Sequence, residues 1–202
     1  MRIAINGFGR IGRTTLRVLL QRENIEVLAV NDLADTQTLA HLFKYDSVHG
    51  PFEGEVSVQS EGLEIDGKMI RFFQEKDPEN LPWRDLGVDI VIESTGIFQT
   101  KESAGKHLKA GAQKVIISSP AKDLDIKTVV LGINEDILDP ADTIISNASC
   151  TTNSLAPLVK VIDELCEIES GYITTVHSYT GDQKLHDPPH NALRIASAAA
   201  VP

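Results

Sequence analysis

The chain has 202 residues, of which 42% are hydrophobic and 24% are charged, a balance typical of a globular domain with an apolar core. Its 29 acidic and 19 basic residues give a net charge of −10, which argues against a nucleic-acid-binding surface. The sequence has two cysteines, no apolar run of transmembrane length and no signal-peptide pattern. We therefore expect a cytoplasmic protein without disulfides that does not enter membranes.

The N-terminal segment has the pattern of a dinucleotide-binding unit. A predicted strand, Arg2–Asn6, leads into the loop Gly7-x-Gly9-x-x-Gly12, and a helix is predicted over residues 13–21. In such a loop Gly7 permits a tight turn and Gly9 lets the backbone approach a pyrophosphate. Gly12 lets the helix pack on the strand, and the helix N-terminus faces the phosphates.

A carboxylate follows the second predicted strand, Glu26–Asn31. It belongs to Asp32, which lies about twenty residues after the last glycine of the loop, where an acidic side chain can bind the ribose hydroxyls. The same charge repels the additional phosphate of NADP. The sequence therefore predicts NAD as the cofactor.

The middle of the chain continues the alternation of strands and helices. A helix is predicted over Thr36–Lys44, a small antiparallel insertion over residues 55–73, and a helix over 102–110. Further strands are predicted over residues 88–92, 114–117, 128–131 and 143–145. This order predicts an α/β fold, with a doubly wound parallel sheet of the Rossmann type over residues 1–148. An incomplete α+β catalytic domain is expected over residues 149–202.

The segment SNASCTTN, residues 146–153, contains the reactive candidate Cys150. A helix predicted over residues 155–166 follows it, and the positive end of a helix dipole favours thiolate over thiol. Cys166 lies on the apolar stripe of that helix, so we expect it to be buried. His177 ends a strand predicted over residues 172–176 and could act as the base for the cysteine, while the spacing alone also fits a histidine with a purely structural role.

Several segments together resemble the phosphorylating glyceraldehyde-3-phosphate dehydrogenases of bacterial type. They are INGFGRIGR (5–13), NDL (31–33), KYDSVHG (44–50), ESTG (93–96), SNASCTTN (146–153) and TTVHSYT (174–180). The resemblance covers nearly the whole chain and corresponds to the N-terminal portion of that family. Erythrose-4-phosphate dehydrogenases share much of it but usually differ after the histidine, where TGDQ (180–183) is more similar to the glyceraldehyde enzyme.

The resemblance implies a role for each matching residue. Cys150 would add to the aldehyde of glyceraldehyde 3-phosphate, and His177 would activate the thiol and transfer protons. A hydride would pass to NAD, and inorganic phosphate would cleave the thioester to 1,3-bisphosphoglycerate. The implied cofactor-binding residues are the three loop glycines, Arg10 and Ile11 at the pyrophosphate, Asp32 at the ribose, Lys76 at the adenine, Ser118 at the nicotinamide, and Thr95 and Gly96 in a loop where ligands gather. Ser149, Thr151 and Thr180 would hold substrate or phosphate oxygens.

Other interpretations remain open. Family members continue beyond the point that corresponds to residue 202, and the family's arginine-rich run, which helps to bind phosphate and to brace subunits in a tetramer, reads LRIAS here (193–197). The polypeptide could therefore be a truncated NAD-binding module with little turnover, and an exposed apolar patch is expected around the helix after Cys150. A semialdehyde dehydrogenase, which uses the same cysteine–histidine chemistry, is a third possibility.

Overall fold

The computed structural model describes residues 1–181, and the chain divides into two compact units, 1–161 and 162–202. The strands are β1 (Arg2–Asn6), β2 (Glu26–Asn31), β3 (Val56–Gln59), β4 (Gly62–Ile65), β5 (Lys68–Phe73), β6 (Ile90–Glu93), β7 (Lys114–Ile117), β8 (Lys127–Thr128) and β9 (Ile144–Ser146). The helices are α1 (Arg10–Leu19), α2 (Thr36–Lys44), α3 (Trp83–Leu86), α4 (Lys101–Lys109) and α5 (Cys150–Cys166). None of the described helices is long and apolar enough to cross a membrane.

The strands form one sheet in the order β3-β4-β5-β2-β1-β6-β7-β9-β8. From β5 to β8 every neighbouring pair is parallel, while β3, β4 and β5 form the antiparallel meander that the sequence predicted. The strand order runs outward in opposite directions from β1 and β6, so a topological switch point lies between these two strands. The predicted α/β, doubly wound parallel sheet is confirmed.

Helices cover both sides of the central strands. Ile5 of β1 packs with Leu16 of α1 and Phe43 of α2, whereas its neighbour Ala4 packs with Trp83 of α3. Because consecutive strand residues point to opposite sides of a sheet, β1 is buried on both faces. The near-continuous apolar composition of β1 and β6 follows from this burial.

Two helices begin earlier than their apolar periodicity predicted. Helix α1 starts at Arg10 because Gly9, in an extended conformation, is its N-cap, so the helix begins inside the glycine loop. Helix α5 starts at Cys150 itself. Periodicity marks the buried stripe of a helix and does not mark a first turn that lies at the surface. Strand β8 is shorter than predicted and covers Lys127–Thr128 alone.

Two predictions for the later part of the chain are wrong. Residues 172–176 do not form a strand: no described strand pairs with them, and an unpaired strand leaves its backbone groups without hydrogen-bond partners. Cys166 is exposed instead of buried, because the apolar stripe that it shares is uncovered. On that stripe Leu158 is 59% and Leu165 is 77% exposed, so the apolar patch expected there is present.

Candidate functional site

A cleft of about 540 Å³ opens where the carboxyl ends of the parallel strands meet, next to the switch point between β1 and β6. Its volume lies within the range of sites for small molecules and cofactors. Of the residues predicted to bind the cofactor, the cleft is lined by Gly7, Gly9, Asp32, Lys76 and Thr95. The cleft therefore brings together residues from four separate parts of the chain.

The three glycines of the loop differ in how much space a side chain would have at each position. Gly7 has φ +92°, and a Cβ there would lie 2.7 Å from the backbone of Ser94. A Cβ on Gly12 would overlap the carbonyl oxygen of Gly7. A Cβ on Gly9 would meet nothing within 4 Å, so the space above Gly9 is open. This open space next to the N-terminus of α1 is where a pyrophosphate can approach the backbone.

Asp32 connects the end of β2 to the glycine loop. One carboxylate oxygen accepts a hydrogen bond from the backbone N–H of Phe8 at 2.7 Å, and the other accepts one from the N–H of Ala34 at 3.0 Å. A carboxylate oxygen can accept more than one hydrogen bond, so both oxygens keep capacity for ribose hydroxyls. The same side chain thus holds the loop in place and presents a negative charge to the cleft.

Arg13 lies in the first turns of α1, and its guanidinium is a cation next to the glycine loop. Its Nη1 donates to the carbonyl oxygen of Phe8 at 2.8 Å. Burial lowers the pKa of its guanidinium, and the neighbouring carboxylates of Asp46 and Asp32 partly offset this effect. Its buried Nε has no hydrogen-bond partner within residues 1–181. Together with the open space at Gly9, this cation fits the binding of an anionic dinucleotide.

Other predicted cofactor residues do not line the cleft. Arg10 and Ile11 are exposed on the first turn of α1, and Gly12 is buried beneath the loop. Gly96 has φ +73° in the loop after β6. Ser118 directly follows β7, and its N–H donates to the carbonyl oxygen of Glu93 at 2.9 Å. All of these residues are at the carboxyl edge of the sheet, and their contact with a cofactor stays a prediction.

Sequence reasoning missed several residues that line the cleft, namely Asn6, Asn31, Leu33, Glu75, Ser94, Ile97 and Phe98. A signal for two of them was present in the sequence. Asn6 and Asn31 are the polar last residues of their strands and directly follow apolar runs, and the parallel register places them side by side. Polar residues at such strand ends belong to the edge where ligands bind.

The cysteine segment follows β9 and therefore begins at the same edge of the sheet. Cys150 is the first residue of α5, its thiol is exposed, and its Sγ lies 3.9 Å from the hydroxyl of Thr151. Ala148, which is buried, adopts a left-handed conformation with φ +58° that turns the chain into the helix. Asn153 holds this turn, because its amide donates to the carbonyl oxygens of Asn147 and Ser149 at 2.7 and 3.0 Å.

Ser149 has a structural role in addition to the predicted substrate contact. Its hydroxyl accepts a hydrogen bond from the backbone N–H of Thr152 at 3.0 Å, which is the geometry of an N-cap. We expect Ser149→Ala to lower the free energy of unfolding by about 1 kcal/mol, measured by urea denaturation. The control is Ser154→Ala, at an exposed position of the same helix, which should not lower stability. Equal unfolding free energies for the two variants would contradict the capping role.

The predicted base lies in the second unit, whereas the cysteine lies in the first. His177 is exposed, and its Nδ1 is 2.5 Å from the carbonyl oxygen of Ser178. Thr180 is also in the second unit. The pairing of His177 with Cys150 and the anion contacts of Thr151 and Thr180 therefore stay predictions. The altered segment 193–197 lies outside the described residues.

The fold and the cleft define a class of protein. A parallel sheet with a switch point, a glycine loop at the start of a helix and a carboxylate after the second strand characterise dinucleotide-binding α/β proteins. The exposed cysteine at the start of a helix on the same edge adds a candidate nucleophile. No group of histidine, cysteine, aspartate and glutamate side chains in residues 1–181 is arranged to hold a metal ion.

Comparison with known proteins identifies the family. The model for the glyceraldehyde 3-phosphate dehydrogenase NAD binding domain matches residues 1–101, and the model for the C-terminal domain matches residues 149–202. Proteins named glyceraldehyde-3-phosphate dehydrogenase are 62% identical over 202 residues in Thermotoga maritima, 59% over 201 in Geobacillus stearothermophilus and 56% over 200 in Mycoplasma pneumoniae. Each comparison covers 99% of this chain and 59–60% of the relative.

The chain belongs to the glyceraldehyde-3-phosphate dehydrogenase family, and it spans about 60% of the length of the curated relatives it matches. The resemblance inferred from the sequence is confirmed. The assignment of NAD as the cofactor is confirmed as well, since the matched N-terminal model is that of the family's NAD-binding domain. The relatives carry the name of an oxidoreductase.

Proposed function

We propose that this chain carries the cofactor site and the nucleophile of an NAD-dependent phosphorylating glyceraldehyde-3-phosphate dehydrogenase. The observation that carries the proposal is the placement of Cys150. It is the exposed first residue of α5, and it follows β9 at the sheet edge where the cofactor cleft opens. The substrate is glyceraldehyde 3-phosphate, and the second substrate is inorganic phosphate.

NAD, when bound, supplies the hydride acceptor. The open backbone at Gly9 and the N-terminus of α1 would hold its pyrophosphate, with Arg10 and Ile11 beside it. Asp32 would accept hydrogen bonds from the adenosine ribose, and Lys76 would lie on the adenine side. The proposed nicotinamide side includes Ser118, which follows β7 at the same edge.

Cys150 would act as a thiolate that forms a carbon–sulfur bond to the aldehyde carbon. The negative charge moves to the aldehyde oxygen, where the backbone N–H at the start of α5 can donate a hydrogen bond. His177 would accept the proton of the thiol and return one to that oxygen. Loss of a hydride, for which the bound cofactor would be the acceptor, and return of the hydroxyl proton to His177 would leave a thioester on the cysteine.

The thioester would then react with inorganic phosphate. A phosphate oxygen forms a bond to the acyl carbon, the carbon–sulfur bond breaks, and the thiolate of Cys150 is restored as the acyl phosphate leaves. Thr151 and Thr180 supply hydroxyl groups for the phosphate oxygens of the substrate or of inorganic phosphate. Ser149 is proposed for the same task, although its hydroxyl already caps α5.

A second candidate is a chain that binds NAD with little or no turnover. It is supported by the segment LRIAS (193–197), which lacks most of the arginines of the family's arginine-rich run. The comparisons favour neither erythrose 4-phosphate nor a semialdehyde as the substrate. We further propose a homo-oligomer, as the resemblance implies, and a cytoplasmic location, which the low cysteine content of two residues fits.

The test is an assay of the purified chain with NAD, glyceraldehyde 3-phosphate and inorganic phosphate, in which NADH is followed by its absorbance. Formation of NADH that requires all three would support the dehydrogenase. Calorimetric titration with NAD and NADP accompanies the assay. NAD binding without turnover would support the binding module, and tighter binding of NADP than of NAD would contradict the proposed role of Asp32. Faster reaction with erythrose 4-phosphate would reassign the substrate.

A further inference from the structure

We infer that Glu93 is a positioning residue for the cofactor cleft: its buried carboxylate holds Asn6 and Thr95 in the orientation that the cleft requires. Glu93 is the last residue of β6, and its side chain is 1% exposed. The parallel register places it beside Asn6 of β1, which in turn lies beside Asn31 of β2. The inference rests on the proposed function only in that the cleft binds NAD.

Four hydrogen bonds converge on the Glu93 carboxylate. The backbone N–H of Thr95 donates to Oε1 at 2.8 Å, and the hydroxyl of Thr95 is bonded to the same oxygen. The side-chain amide of Asn6 donates to Oε2, and Nε2 of His107 lies 3.0 Å from Oε2. A carboxylate ion, which only accepts hydrogen bonds, can satisfy all four of these groups.

The direction of the Asn6 hydrogen bond follows from the backbone of Glu75. The N–H of Glu75 donates to Oδ1 of Asn31 at 2.8 Å, and Nδ2 of Asn31 donates to the carbonyl oxygen of Glu75 at 2.9 Å. These two backbone groups determine the orientation of the Asn31 amide. Its Nδ2 also donates to Oδ1 of Asn6 at 2.7 Å, so Asn6 must present its NH₂ group to Glu93.

The direction of the His107 hydrogen bond follows from Trp83. The indole N–H can only donate, and it lies 3.0 Å from Nδ1 of His107. Nδ1 therefore carries no proton, the ring is neutral, and the proton is on Nε2, which donates to Glu93. Trp83 and His107 are both fully buried, and their rings are stacked at 6.3 Å between centroids.

Three donors of fixed direction thus face the two oxygens of Glu93, and the fourth group is a hydroxyl that already accepts a hydrogen bond from the N–H of Ile97. A carboxamide at this position would turn an N–H group towards at least one fixed donor. The role of the carboxylate is therefore orientation. A negative charge near a cleft for an anionic dinucleotide would by itself weaken binding, because like charges repel.

The groups that Glu93 orients belong to separate walls of the cleft. Asn6, Asn31, Glu75 and Thr95 all line it, and they come from the ends of β1 and β2, the segment after β5 and the loop after β6. One buried carboxylate therefore connects the segments that a bound cofactor would contact, and it extends this network to Trp83 in the core.

The test is Glu93→Gln, with binding of NAD measured by calorimetry. We expect the affinity for NAD to fall about tenfold or more, because a buried donor loses its acceptor and the cleft wall shifts. The matched control is Glu102→Gln, which makes the same charge change at an exposed position of α4 and should leave the affinity unchanged. Equal or tighter binding by E93Q would overturn the inference, since charge removal alone predicts tighter binding.

A second measurement does not require the variant to fold. Nitrogen NMR of the unaltered chain should show His107 as a neutral ring with an unprotonated Nδ1. A proton on Nδ1 would reverse the network and overturn the inference. The titration of the unaltered chain separates the two proposals: no NAD binding would contradict both, whereas NAD binding by the unaltered chain with equal binding by E93Q would contradict the role of Glu93 alone.

Discussion

Replacement of Gly12 by alanine is expected to lower the free energy of unfolding by roughly 2–3 kcal/mol and to abolish NAD binding. The Cβ of Gly12 would overlap the carbonyl oxygen of Gly7 and crowd the side chain of Ile5. The first obstacle is backbone, which cannot rotate away as a side chain can, so α1 must move off β1. The measurements are urea denaturation and NAD titration.

Gly9→Ala is the matched control for Gly12→Ala, because it adds the same methyl group to the same loop. Its Cβ meets nothing within 4 Å, and its backbone is extended, so the fold should accept it with a change of about 0.5 kcal/mol or less. The methyl group would occupy the space proposed for the pyrophosphate, and NAD affinity should fall about tenfold or more. A stable G12A chain, or a G9A chain with unaltered NAD affinity, would contradict this account of the loop.

Cys150 is expected to react with iodoacetamide about tenfold faster than Cys166 at neutral pH. Helix α5 provides an internal comparison, since Cys150 is its first residue and Cys166 its last, and both thiols are exposed. A difference in solvent exposure therefore does not explain a difference in their rates. The positive end of the helix dipole lies at Cys150 and the negative end at Cys166. Mass spectrometry of the labelled peptides measures the two rates.

In the turnover assay, Cys150→Ser should reduce NADH formation by at least about a thousandfold, because a serine hydroxyl in the same place is a far weaker nucleophile. Cys166→Ser is the control and should retain the activity of the unaltered chain. Equal labelling rates for the two cysteines would contradict activation of the Cys150 thiol by the N-terminus of α5. An active C150S chain would remove Cys150 from the proposed mechanism.

The cofactor loop could be predicted from the sequence because the residues that determine its conformation lie close together in the chain. Gly7, Gly9 and Gly12 follow an apolar strand and precede an amphipathic helix, and Asp32 ends the next strand. Strand and helix periods, together with glycines at fixed spacing, are properties of neighbouring residues. For the same reason helix Thr36–Lys44 and the antiparallel insertion over residues 55–73 agree with prediction.

Predictions failed where a residue's environment depends on what packs against it. Cys166 shares an apolar stripe with Leu158 and Leu165, and the pattern alone could not show that this stripe is exposed. Residues 172–176 have the composition of a strand, but a strand exists only when another strand supplies hydrogen-bond partners.

The sequence by itself determined the α/β order, the dinucleotide loop, the acidic residue after β2 and the cysteine segment ahead of a helix, since all of these are encoded by residues close together in the chain. Only the tertiary structure decided that Asn6, Glu93 and His107 share one hydrogen-bond network. Asn6 and Glu93 are 87 residues apart, and Trp83 and His107 are 24 apart. The parallel register of β1 and β6 and the packing of α3 against α4 bring these groups together, and buried polar groups must find partners wherever the fold places them.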